Sequence, residues 1–116
     1  MNKNKITLIG MAGVGKSSIG KKLASELNYS FIDTDTVIHA KINQSLYEFI
    51  SEKGSNAFLK IENNTLLTLD TPPKVIIATG GSAVYNKEGM EHLQKSTHII
   101  YLEDNFENIQ KRIKNS

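Results

Sequence analysis

The sequence predicts an α/β protein built on a parallel sheet, and three observations predict it. Short apolar runs recur at Lys5–Ile9, 28–32, Val75–Ala78 and 98–102, with helical patterns between them. Strands separated by helices return in the same direction, which gives parallel pairing with right-handed crossovers. Gly10-Met11-Ala12-Gly13-Val14-Gly15-Lys16-Ser17 fits G-x-x-x-x-G-K-[ST], the loop that cradles nucleotide phosphates, and it sits between a strand and a helix. Two further apolar runs also stop at chemistry-bearing residues, where ligands of such sheets bind.

The first strand is Lys5–Ile9. The helix after the glycine loop covers 18–27, with Ile19, Leu23 and Leu27 on one face. Residues 28–32 form a second strand ending at Asp33, and 36–42 a short helix. Ser45-Leu46-Tyr47-Glu48 reads as a capping box opening another helix, which Gly54 stops. Ser55 or Asn56 caps a longer helix to about Leu69, whose apolar positions Phe58, Ile61, Leu66 and Leu69 fit one helical face only roughly. Asp70-Thr71-Pro72-Pro73 is a loop. Val75–Ala78 is a buried strand, 87–94 a helix, 98–102 the last strand and 105–114 the last helix. Tyr29, Phe31, Tyr47, Phe49 and Phe58 are assigned to the core, and Lys21 and Lys22 to a solvated face.

The chemistry gathers at strand ends. Glycines let the loop backbone turn tightly and bring its N–H groups to phosphate oxygens. The following helix adds free N–H groups and its positive dipole end. Lys16 supplies positive charge for the outer phosphates, and the Ser17 hydroxyl suits Mg²⁺. The second strand delivers Asp33-Thr34-Asp35. One carboxylate can support a metal; the other can orient a substrate hydroxyl and accept its proton. A helix cap by Thr34 or Asp35 is the competing structural use. The third strand delivers Thr79-Gly80-Gly81-Ser82, where adjacent glycines let a ligand approach the backbone.

Taken together, 10–20, Phe31-Ile32-Asp33-Thr34-Asp35, the Glu52, Gly54 and Phe58 spacing, 78–84 and Ile99-Ile100-Tyr101-Leu102-Glu103 resemble the shikimate kinase family of P-loop small-molecule kinases. The resemblance runs along nearly the whole chain. It implies a three-layer P-loop kinase fold with a parallel sheet in the order 2-3-1-4 flanked by helices. It implies that Gly13, Val14, Gly15, Lys16, Ser17 and Ser18 bind ATP phosphates, with Ser17 and Asp33 serving Mg²⁺. Asp35 is then the base and acceptor ligand, Gly80 and Gly81 contact the acceptor, and Arg112 lies near the adenine.

Three departures stand beside the resemblance. The family has an arginine after the phenylalanine of the third helical region, which clamps the acceptor carboxylate; here Phe58 is followed by Leu59, and Lys60 points about 100° round the helix. Ser82 stands where the family has a third glycine, a mild change. Family members are also longer, so a fifth strand, its helix and the lid arginine are expected to be missing from residues 1–116. A lid arginine contributes on the order of 10³-fold or more in related phosphoryl transfers, so the 116-residue chain alone is expected to be a poor kinase. The last strand would then be an exposed apolar edge between His98 and Leu102, which invites a homodimer.

Bulk properties bound the rest. The chain has 116 residues, one domain's worth, with 14 basic and 12 acidic residues and a net charge of +2, too small to suggest nucleic acid. There are no cysteines, which suits a cytoplasmic location. No segment approaches the roughly 20 apolar residues of a membrane helix. His39, His92 and His98 lack metal-ligand spacing. The expected function is ATP-dependent phosphoryl transfer to a hydroxyl of shikimate or a shikimate-like small molecule. The alternatives are a nucleotide-binding module with little catalysis, and a P-loop kinase for another acceptor such as a sugar acid.

Overall fold

The computed structural model describes residues 4–10 and 16–102. Their elements run β1 (Lys5–Ile9), α1 (Lys16–Leu27), β2 (Ser30–Asp33), α2 (Thr34–Ile42), α3 (Leu46–Lys53), α4 (Ser55–Thr68), β3 (Val75–Ala78), a 3-10 turn at Ala83–Tyr85, α5 (Lys87–Ser96) and β4 (His98–Tyr101). All pairings are parallel and the order is β2-β3-β1-β4, as expected. The expected helix at 105–114 lies outside the described residues.

Alternation along the strands divides the core between two faces. Ile6, Leu8, Ile76 and Ile100 point to α1, where Leu23 and Ala24 complete a buried cluster. Val75 and Ile77 point the other way and pack with Leu66 of α4 and Leu93 of α5. Thr7 shares that second face, and its hydroxyl pairs with that of Thr97 at 2.8 Å, so neither buried oxygen is left unsatisfied. The result is three layers: α1, the sheet, and α4 with α5. Ile38, Phe49 and Phe58 form a smaller cluster among α2, α3 and α4.

The apolar pattern of α4 has a physical reason. Phe58 and Ile61 belong to the small helical cluster, whereas Leu66 and Leu69 belong to the sheet core. One helix serves two cores, so no single face describes it.

Several boundaries differ from expectation. Asn28 does not begin β2: it takes φ 61°, a left-handed conformation that ends α1, and Tyr29 N donates to Ala24 O at 2.8 Å. Neither Ser55 nor Asn56 caps α4. Gly54 alone separates α3 from α4, and with φ 91° and ψ 163° it closes one helix and opens the next. Ser45 does cap α3, accepting from Glu48 N at 3.0 Å. Tyr47 is not core: it sits on the outer face of α3 and is 81% exposed. Among the described residues β4 has a strand on one side only.

Candidate active site

The parallel sheet brings three strand ends to one rim. β1 ends at Ile9, and Gly10 follows it; β2 ends at Asp33; β3 ends at Ala78, with Thr79 and Gly80 next. Asp33 is in register with Ala78, and Ala78 with Leu8, so the three termini lie side by side. Thr79 is pinned to β1: both its N–H and its hydroxyl donate to Leu8 O, at 3.2 and 2.9 Å.

On the β1 side, Lys16 opens α1 and is buried. Its ammonium donates to Gly10 O at 2.6 Å. Burial lowers the Lys16 pKa, and the charges of Asp35 and Asp33 oppose that shift. Lys16 therefore feels both carboxylates of the expected pair. The Ser17 hydroxyl donates to Asp33 Oδ2 at 2.5 Å, joining the expected metal ligand to its expected support. Ser18 is exposed on α1. Gly13, Val14 and Gly15 lie outside the described residues, as does Arg112.

On the β2 side, the capping alternative is correct but falls on another residue. Asp33, not Thr34 or Asp35, is the N-cap of α2, accepting from Asp35 N through Oδ1 at 2.9 Å. Asp33 thus ties α2 to α1 with its two oxygens, which leaves Asp35 half-buried and free of the capping role. Burial and then the Asp33 charge raise the Asp35 pKa; the Lys16 ammonium works against them. A carboxylate shifted this way is better suited to accept a hydroxyl proton than an ordinary one.

On the β3 side, the backbone of Gly80 comes close to two carboxylates. A Cβ there would lie 2.6 Å from Asp35 Oδ1 and 3.2 Å from Glu62 Oε2. Asp35 and Gly80 are therefore brought together as expected, with Gly81 exposed beside them.

Glu62 is the residue the sequence reading missed. Its side chain is 0% exposed. Its carboxylate accepts from Ser82 Oγ at 2.9 and 3.1 Å and from Asn86 Nδ2 at 2.7 Å. Burial raises its pKa, the Ser82 and Asn86 hydrogen bonds pull it down, and the Asp35 charge adds a smaller upward push. Ser82, where the resemblance expects a third glycine, is accommodated with its hydroxyl bonded to Glu62. The available signal was position: Glu62 lies four residues after Phe58 and four before Leu66, on a helical stripe of core residues where an unpaired acid is out of place. Leu59 is half-buried and Lys60 exposed on the same helix.

Lys16 beside Gly10, the Ser17 hydroxyl joined to Asp33, and Asp35 of raised pKa beside Gly80 thus lie on one rim of the sheet. The shikimate kinase family model matches residues 12–116. The chain belongs to the shikimate kinase family. A shikimate kinase from Dictyoglomus turgidum is 33% identical over 97% of this chain and 66% of its own length. Shikimate kinase structures from Aquifex aeolicus and Acinetobacter baumannii superpose with TM-scores of 0.78 and 0.79, at 30% and 28% identity, covering 90% and 95% of this chain. The Acinetobacter enzyme was solved in complex with shikimate. The chain spans 66% of the Dictyoglomus relative and 62% and 61% of these two chains.

Proposed function

We propose that this chain carries the nucleotide half and part of the acceptor half of a shikimate kinase, which transfers the γ-phosphoryl of ATP to a hydroxyl of shikimate. The observation that carries the reading is the convergence of Lys16, Asp33, Asp35 and Gly80 at the ends of three parallel strands. Lys16 is assigned to the outer phosphates, with Gly13, Val14, Gly15, Ser17 and Ser18 completing the phosphate cradle and Arg112 the adenine side. Its charge stabilises the transferring group without making a covalent bond. Asp35 holds the acceptor hydroxyl and takes its proton as the phosphoryl oxygen bond forms. Gly80 and Gly81 offer backbone to the acceptor.

The donor set fits Mg²⁺. The Ser17 hydroxyl and the Asp33 carboxylate are adjacent hard oxygens, and no cluster of three acids or histidines among the described residues forms a self-contained metal cage. Magnesium is commonly held in this way, by one or two protein oxygens together with substrate phosphates. When bound it supplies charge neutralisation to the phosphates. A cytoplasmic setting is part of the same proposal; no helix among the described residues is long and apolar enough to cross a membrane. Pairing of two chains along the outer edge of β4 is also proposed, and light scattering at rising concentration tests it.

Leu59 favours a second reading, in which the acceptor differs from shikimate or catalysis is slight. Calorimetry with ATP and ADP, followed by ATP turnover with and without shikimate, separates the readings. Nucleotide binding with shikimate-stimulated turnover is expected. Nucleotide binding with no response to shikimate would favour the second reading.

A further inference from the structure

Glu62 is a buried carboxylate whose hydrogen-bond donors are both neutral, a hydroxyl from Ser82 and an amide from Asn86. A buried acid is costly unless its oxygens are satisfied. Here the satisfying groups come from the stretch that begins with Gly80 and ends at Asn86. Ser82 precedes the 3-10 turn at Ala83–Tyr85, and Asn86 is the residue that joins this turn to α5. Asn86 is the boundary residue of α5, yet its side chain makes no capping bond there; its amide is turned to Glu62 instead. Two turns of backbone reinforce the arrangement: Ala83 N donates to Gly80 O at 3.2 Å and Tyr85 N to Ser82 O at 3.0 Å.

The consequence lies at Gly80. The space a Cβ would take there is bordered by Asp35 Oδ1 and Oδ2 and by Glu62 Oε2. Carboxylate oxygens of both residues therefore stand beside Gly80. The hydrogen bonds from Ser82 and Asn86 fix where the Glu62 carboxylate stands.

We propose that Ser82 and Asn86 are positioning residues of the acceptor subsite, holding the Glu62 carboxylate against Gly80 so that the gap between Gly80 and Asp35 keeps a fixed width. They touch no reacting atom and act through Glu62. This rests on the assignment of Asp35 and Gly80 to the acceptor.

The test uses Ser82→Ala, with Ser82→Thr as the variant that keeps the hydroxyl. Shikimate and ADP affinities are measured by calorimetry on the purified proteins, with thermal melts to follow folding. Removal of one donor to a buried acid predicts shikimate affinity weakened about five- to tenfold. ADP affinity stays within about twofold, and Ser82→Thr keeps the wild-type value for shikimate. Unchanged shikimate affinity in folded Ser82→Ala overturns the inference while leaving the kinase reading intact. Equal weakening of shikimate and ADP overturns it too, since that marks a general structural role. Failure of the wild-type protein to bind shikimate overturns the acceptor reading and this inference with it. Glu62→Gln gives a second check: the same selective loss for shikimate is expected, and wild-type affinity in that variant contradicts the proposal.

Discussion

Asp35 is the proposed base. Its pKa is raised from the ordinary 3.8 by burial and by Asp33. A protonated Asp35 cannot accept the acceptor's proton, so activity is lost on acidification at a pH above that ordinary value; the acid limb of a kcat/KM profile checks this. Asp35→Asn removes the base and is expected to lower kcat by about 10²- to 10⁴-fold with nucleotide affinity preserved. Glu62 makes a separate prediction about stability. Its folded pKa lies above the ordinary 4.5, so the folded chain binds more protons than the unfolded one between those two values. Stability therefore falls as pH rises across that window and is level above it. Glu62→Gln removes this contribution, so the difference in stability between variant and wild type changes across that window and is constant above it, as urea melts at several pH values would show. At this scale the strand-end acids and glycines were legible, because each followed an apolar run. Glu62 was not, because burial of an acid depends on donors 20 and 24 residues away at Ser82 and Asn86.

The elements carry the next set of consequences. Gly54 is a one-residue hinge between α3 and α4 with φ 91°. A side chain there meets nothing within 4 Å, so the penalty of substitution is backbone strain alone. Gly54→Ala is expected to cost about 1–3 kcal/mol, read as a lower thermal midpoint with the site's affinities unchanged. The strand β1 is legible to the residue because a compact apolar run stops at a glycine. The start of β2 is not, because Tyr29 and Phe31 are apolar on both sides of the true boundary and the left-handed Asn28 decides it. The role of α4 was only half legible for a related reason: its apolar residues answer to two different cores. Asp33 shows the same dependence on context. A residue that caps α2 and accepts from Ser17 serves both fold and site, and sequence alone distributes those uses among three neighbours.

For the whole molecule, the parallel order β2-β3-β1-β4 is what converts separate motifs into one site. β1 lies beside β3 and β3 beside β2, so Gly10, Gly80 and Asp33-Thr34-Asp35 meet at one rim. The family and the fold were legible from the spacing of these segments; the acceptor's surroundings were not, since they depend on how α4 packs against the segment after β3. Phosphate transfer from nucleotide to acceptor hydroxyl at this rim is the proposal that ³¹P NMR of the protein with ATP, Mg²⁺ and shikimate tests most directly. Growth of a phosphomonoester resonance together with ADP is expected in the wild-type protein, and its loss in Asp35→Asn. ADP and inorganic phosphate without a phosphomonoester, or equal product from Asp35→Asn, would contradict it.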